Sequence, residues 1–309
     1  MALYRMRTFI ICPNPAMDIQ AEIDSFHPGQ PTRMKSEIYF PGGKGIHVAM
    51  ALEELGIPTT LAGIWGSENG DQLQKRCMDY YPKINISGPF VKGWNRSCYS
   101  FISKNEWHDT ELLGAGPKVE SKVYEEFIRE IGENSDTISS VAICGSWPSG
   151  ACLTSTQKIV EFCEIHAIPV FIDTTGPQLI NALKAKPYMV HLNRSEVCKM
   201  FSADFQEAIA LLGEQCEFAA VTDGKEGLYL RSKKGTIHAN VTLDQKVIST
   251  IGSGDCLLAG LIGAHYIGLG EEDSSKRGVA CGAANCIRPE LGMLNKTDVD
   301  LLIKQSYIA

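Results

Sequence analysis

The sequence predicts an α/β fold: a mostly parallel central sheet with helices on both faces, plus a small β-sheet. Three observations lead there. From Gly114 onward, helical and extended patterns alternate along the chain, as expected of a parallel sheet covered on both faces. Two glycine-rich turns, Gly42-Gly43-Lys44-Gly45 and Gly252-Ser253-Gly254-Asp255, each open a helical pattern. Two segments, roughly 15–40 and 86–113, hold strand-like pieces with little helix. Those two segments are expected to pair into one small sheet that acts as a lid.

The 309 residues and 44% hydrophobic content permit a large core, read as one domain over 1–309. A formal net charge of −7 without basic runs argues against a nucleic-acid partner. The eleven cysteines have no C-x-x-C spacing, and no H-x-x-x-H occurs, which argues against a zinc site. Most cysteines sit inside apolar runs such as Val141-Ala142-Ile143-Cys144, and read as reduced thiols in a cytoplasmic protein. Phe9-Ile10-Ile11-Cys12 is too short for a signal segment, and the apolar run after Gly254 is too short to cross a membrane.

The elements follow in order. Thr8 to Cys12 is a short apolar run closed by Pro13-Asn14-Pro15, hence a buried strand entering a turn, with Asp18 beyond it. Gly29 and Pro31 interrupt the segment up to Phe40. The first glycine turn opens a helix from Ile46 to Leu55, in which Ile46, Ala49, Met50, Leu52 and Leu55 recur at helical spacing; Gly56 and Pro58 end it. This turn lacks P-loop spacing, and no Ser or Thr follows Lys44. Neither turn gives a dinucleotide fingerprint. A helix start disfavours a cation, which favours a functional Lys44 over a merely solvated one.

A strand over 59–65 and a helix over 72–80 follow, then short strands over 84–91, 97–103 and 110–113. The regular half reads as helix 120–131, strand 140–144, helix 154–166, strand 169–173, strand 188–192, helix 205–212 and strand 218–222. A hairpin-like stretch over 227–247 and helices over 274–287 and 297–304 complete it. Ligands of such sheets bind beyond the carboxyl ends of the strands. Asn14 and Asp18, Gly145 and Ser146, Asp173, Asn193 and Glu196, and Thr222 and Gly224 fall at those ends.

The second glycine turn is the most informative. Glycines let backbone N–H groups converge without Cβ clashes. A helix start leaves its first N–H groups unpaired beside a partial positive charge, which makes an anion site. Asp255 places a carboxylate beside that site, a combination that suits phosphate chemistry. Ser, Asp and Gly are also ordinary cap and turn residues, so this stretch alone fits both readings. Asn193 and Glu196 likewise fit a helix cap.

Five segments stand in order: Asn14-Pro15-Ala16-Met17-Asp18, Gly42 to Ala49, Gly145-Ser146-Trp147-Pro148-Ser149-Gly150, Asn193-Arg194-Ser195-Glu196, and Thr250 to Gly260. Together they resemble the PfkB (ribokinase-like) family of carbohydrate kinases over almost the whole chain. Within it, they look most like the hexose-phosphate branch that includes tagatose-6-phosphate kinase and 1-phosphofructokinase.

The resemblance implies a ribokinase-like fold with a β-lid, and lids of this family often pair into homodimers. It implies ATP and Mg²⁺. Asp255 would be the base, and Gly252, Ser253 and Gly254 the anion hole. Asn193 and Glu196 would hold Mg²⁺. Asn193, Thr222, Asp223, Gly224, Gly227 and Asn285 would line the nucleotide. Asp18, Gly42, Gly43, Lys44, His47 and Ser146 would hold the sugar, with Arg33 and Arg96 on its phosphate. The first expected reaction is tagatose 6-phosphate to the 1,6-bisphosphate, and the second is phosphorylation of fructose 1-phosphate. An unphosphorylated sugar or nucleoside, or a non-catalytic binding role, are the alternatives.

Four positions depart from the family pattern. His47 stands where Asn is usual, and His191 where Lys is usual. Thr222-Asp223 replaces a Ser followed by an apolar residue, and Cys256 replaces Ser or Thr.

Overall fold

The computed structural model describes residues 6–27, 29–102 and 110–309. The last residue of the expected strand over 97–103, Ser103, lies outside the described residues. The described residues form a ten-stranded sheet. From one edge its strands are Asn85–Ser87, Thr59–Gly63, Arg7–Cys12, Ile138–Cys144, Val170–Asp173, Met189–Asn193, Phe218–Thr222, Leu228–Ser232, Gly235–Val241 and Ser306–Ile308. Neighbouring strands among the first seven run parallel. The last three join by antiparallel pairing.

The central strands read as unbroken apolar runs because both faces are buried. Successive side chains point to opposite faces. Ile10 therefore packs with Val48, Leu52, Leu258 and Ile262, whereas Phe9 and Ile11 pack with Phe127, Ile159 and Leu212. Helices Lys44–Glu54, Ser253–Tyr266, Glu271–Cys286 and Lys296–Gln305 cover the first face. Helices Tyr124–Asn134, Ser155–Ile165 and Phe205–Gly213 cover the second. Residues Asp255 to Ala264 are buried all round their helix, which is why that run shows no polar stripe. A Cβ on its Gly260 would stand 2.9 Å from Cys281 Sγ and 3.0 Å from Gly278 Cα, so the two neighbouring helices approach closely there.

A separate four-stranded sheet has the order Ser36–Gly42, Ala16–Glu22, Arg96–Ile102, Thr110–Leu113. Ala16–Glu22 pairs antiparallel with Ser36–Gly42 and parallel with Arg96–Ile102. The start of the 86–113 segment lies elsewhere: Asn85–Ser87 extends the main sheet and Phe90–Val91 pairs with Trp65–Gly66. The reason is local. Trp65 Nε1 donates to Ser87 O at 2.7 Å. Gly88, at φ 100°, comes so close to Gly63 that a Cβ would meet its carbonyl oxygen at 2.2 Å. The strand Ser306–Ile308 was not foreseen from its three-residue sequence pattern.

Candidate active site

A cleft of about 1070 Å³ opens at the carboxyl ends of the parallel strands, lined there by Asp173, Asn193 and Thr222. Asp18, Arg96, Glu111 and Leu113 of the small sheet form its other wall. The four residues Gly252 to Asp255 line it too.

The second glycine turn is a helix start. Gly252 is the N-cap, in the left-handed region at φ 83°, and the helix runs from Ser253 to Tyr266. The Ser253 N–H donates to Thr250 O at 3.2 Å and the Cys256 N–H to Gly252 O at 2.9 Å. The Ser253 N–H, expected in the anion hole, is thus already bonded, and among the described residues that leaves the N–H groups of Gly252, Gly254 and Asp255 as donors for an anion. Asp255 is buried in the first turn. Cys256 points into the core and its thiol is pushed well above its usual range by burial, so it is an inert packing residue.

Asp255 is held by the first glycine helix. Gly43 caps that helix at φ 93°, a backbone conformation that suits glycine, and His47 lies one turn in. His47 Nδ1 stands 2.8 Å from Asp255 Oδ2. Its Nε2 stands 3.2 Å from Asp18 Oδ2 on the small sheet. That second contact is an ion pair without hydrogen-bond alignment, and Nε2 has no hydrogen-bond partner. The ring is only 3% exposed. Burial alone would drive its proton off, but the close contacts with Asp18 and Asp255 and their charges outweigh this and push the imidazole up to about 10. The setting of His47 between two carboxylates thus favours the imidazolium form.

A second polar chain lies beside it. Lys44 Nζ donates to Asp173 Oδ1. Asp173 Oδ2 accepts from His191 Nδ1 at 2.8 Å, and His191 Nε2 lies 3.5 Å from Thr222 Oγ1. Burial opposes ionisation of Asp173, yet the charges of Lys44 and His191 and their hydrogen bonds hold its carboxyl well below the usual range. Lys44 is likewise held in its charged form, against burial, first by Asp173 and then by Asp255. A Cβ on Gly254 would sit 3.2 Å from His191 Cε1, so the two chains meet at the helix start.

Asn193 and Glu196 form a reciprocal capping box for the helix Arg194–Phe201: Glu196 N donates to Asn193 Oδ1 and Asn193 N to Glu196 Oε2, each at 2.9 Å. Both also line the cleft. Among the described residues, no three His, Cys, Asp or Glu side chains converge as a metal cage. Glu196 offers one carboxylate at the cleft wall. A hydrated Mg²⁺ shared with nucleotide phosphates needs no more than one or two, so the donor set fits an ion carried by a nucleotide.

The remaining expected residues divide. Gly43, Lys44, Ser146, Thr222, Gly224 and Gly227 line the cleft. Gly42 sits beneath Asp18, where a Cβ would stand 2.0 Å from its Cγ. Arg96 lines the cleft and donates Nε to Asn14 O at 3.2 Å. Arg33 is exposed and lies outside the lining residues. Asp223 turns to Arg194, whose Nη1 is 2.6 Å away. Asn285 is buried and donates to Met293 O at 2.8 Å, one residue before Cys286 of the lining. The bonds of Asp173, the role of Gly292 behind His47 and the position of Glu111 were not read from sequence. The strand-end Asp173 and the unusual His191 were the available signals for the first.

The model of the family described as pfkB family carbohydrate kinase matches residues 12–297. Escherichia coli phosphofructokinase-2, solved with fructose-6-phosphate, is similar with TM-score 0.86 at 19% identity, covering 97% of this chain and 98% of that one. A Thermotoga maritima protein described as a possible 1-phosphofructokinase gives 0.84 at 21% identity, covering 98% and 99%. Arabidopsis thaliana ribokinase, solved with ribose and ATP, gives 0.76 at 15%, covering 97% and 99%. At these identities the structural likeness is one of fold, a ribokinase-like fold.

Proposed function

The chain belongs to the pfkB family of carbohydrate kinases, and we propose that it transfers the γ-phosphoryl group of ATP to a hydroxyl of a phosphorylated ketohexose. Tagatose 6-phosphate, giving the 1,6-bisphosphate, is the first substrate and fructose 1-phosphate the second. The observation that carries this reading is the buried Asp255 carboxylate at a glycine-capped helix start, inside a cleft walled by both sheets.

Asp255 accepts the proton of the acceptor hydroxyl. A late proton transfer in a loose phosphoryl-transfer transition state asks little of the accepting carboxylate beyond its position. The Gly254 and Asp255 N–H groups face the charge on the moving phosphoryl, and one such donor is worth about 3 kcal/mol. Lys44 adds a positive charge beside them. Thr222, Gly224 and Gly227 line the nucleotide. Asn193 and Glu196 would hold a Mg²⁺ brought in with the nucleotide, which would supply neutralisation of phosphate charge. The small sheet acts as a lid that excludes water as a competing acceptor, and two lids pair in a homodimer in the cytoplasm.

Arg96 holds the phosphate already on the sugar. A second reading, a kinase of an unphosphorylated sugar or nucleoside, is favoured by one observation: the small-sheet wall also carries Asp18 and Glu111, while Arg33 lies outside the cleft. ADP release measured with tagatose 6-phosphate, fructose 1-phosphate, fructose 6-phosphate and free hexoses decides. Preference for a ketohexose phosphate is expected. Preference for a free sugar overturns the phosphate assignment, and no ADP release with any acceptor points to a binding protein instead.

A further inference from the structure

His47 joins three elements. It belongs to helix Lys44–Glu54, its Nδ1 meets Asp255 of helix Ser253–Tyr266, and its Nε2 meets Asp18 of the small-sheet strand Ala16–Glu22. The ring has a fitted socket. A Cβ on Gly292 would stand 2.1 Å from His47 Cγ, and one on Gly252 would stand 3.5 Å from Nδ1. Asp18 is seated against Gly42 with no room for a Cβ. Two glycines, Gly292 behind the ring and Gly42 beneath Asp18, thus make room for the imidazole and its acidic partner. Side chains larger than hydrogen at Gly42 or Gly292 would displace them.

We propose that His47 is a positioning residue that couples the small sheet to the base: bonded to Asp255 Oδ2 and paired with Asp18 Oδ2, it fixes which carboxylate oxygen receives the sugar proton and registers the sugar-contacting carboxylate beside it. The proposal rests on the reading of Asp255 as base and Asp18 as sugar contact. The Nδ1–H bond occupies Oδ2 and leaves Oδ1 for the acceptor hydroxyl. At Nε2 the ion pair lacks hydrogen-bond alignment, and the nitrogen is buried with no other partner. A modest movement of Asp18 completes that bond. Sugar contact on Asp18 and orientation of Asp255 then form one unit, because one rigid ring links them.

The charges that face the ring are Asp18 from the small sheet and Asp255 from the catalytic helix. Lys44, on His47's own helix, acts on Asp255 electrostatically. Gly252 and Gly292 contribute none. A neutral ring would keep at most one of the two contacts as a donor. An amide at this position could donate to one carboxylate but would carry no charge between them.

The test uses the full chain in two arms. In the first, ¹⁵N-histidine-labelled protein reports the protonation of His47, assigned by its loss in His47→Asn. Both ring nitrogens protonated at pH 8 is the expected result, and a neutral ring at that pH overturns the proposal. In the second, kcat and KM are measured against pH with ATP and whichever of tagatose 6-phosphate and fructose 1-phosphate the wild type turns over faster. His47→Asn, His47→Gln, Asp18→Asn and their double variants are compared, with thermal melts to confirm folding. His47→Asn should lower kcat by about tenfold or more and flatten the alkaline limb of the profile. His47→Asn and Asp18→Asn should be non-additive. A wild-type-shaped pH profile with additive losses overturns the proposal alone if Asp255→Asn is inactive. Near-normal turnover of Asp255→Asn removes the base reading and this proposal together.

Discussion

A side chain at Gly292 would place its Cβ 2.1 Å from Cγ of His47. Gly292 also sits at φ 66°, where only glycine is at ease. Gly292→Ala should therefore cost about 1–3 kcal/mol through backbone strain and displacement of the ring. The melting temperature should fall by a few degrees, and kcat should fall with it. Wild-type activity in a well-folded Gly292→Ala protein would mean that the ring position is unimportant.

The imidazolium of His47 gives stability a pH dependence. The ordinary value is 6.5 and the folded value about 10. A raised folded value means that the folded state binds the extra proton. Its stabilisation is fully present below 6.5 and is lost as pH rises through 10. Wild-type melting temperature should fall over this window more steeply than that of His47→Asn. Equal slopes would show that the ring is neutral when folded.

Asp173 carries the opposite sign. Its carboxyl is held below the ordinary 3.8 by Lys44 and His191 despite its burial. Its contribution is present above 3.8 and is lost on acidification. Breaking a buried pair by removing one partner costs several kcal/mol, but the Lys44 side chain is 40% exposed and water screens it. Asp173→Ala should therefore lose about 2 kcal/mol in urea unfolding at neutral pH, with less loss at acid pH. The same loss at both pH values would argue against an ionised Asp173.

Much of this architecture was legible because local patterns and tertiary structure agree. Phe218–Thr222 was read with its observed ends, and the helix after Gly43 differed by two residues at its start and one at its end. Both follow from periodicity and glycine stops. The small sheet was harder to read: residues 84–91 look like one strand, yet the close approach of Gly88 to Gly63 divides them between two sheets. In the site, the order of motifs pointed to Asp255, Lys44 and the Asn193–Glu196 pair. The bridge from Asp18 through His47 to Asp255 was not legible, because it joins residues far apart in sequence and depends on space left by Gly292. The resemblance marks His47 as an unusual residue at a sugar-holding position, but not as a partner of Asp255. Arg33 and Arg96 looked equivalent as charges on strand-rich segments, but only Arg96 lines the cleft.

Arg96→Ala tests the sugar's phosphate. A hydrogen bond to a charged group is worth about 1.5–3 kcal/mol, so KM for the phosphorylated ketohexose should rise about tenfold to a hundredfold. KM for ATP should not move. Equal effects on phosphorylated and free sugars would assign Arg96 to the strand turn through Asn14 O rather than to substrate.

The most direct test is turnover of Asp255→Asn, with nucleotide binding measured on the same protein. The amide keeps the shape and the helix start but cannot accept the proton as a carboxylate does. ATP affinity within about threefold of wild type and kcat lowered by about a thousandfold or more are expected. Turnover near the wild-type rate, with nucleotide bound normally, would contradict the assignment of Asp255 as the base.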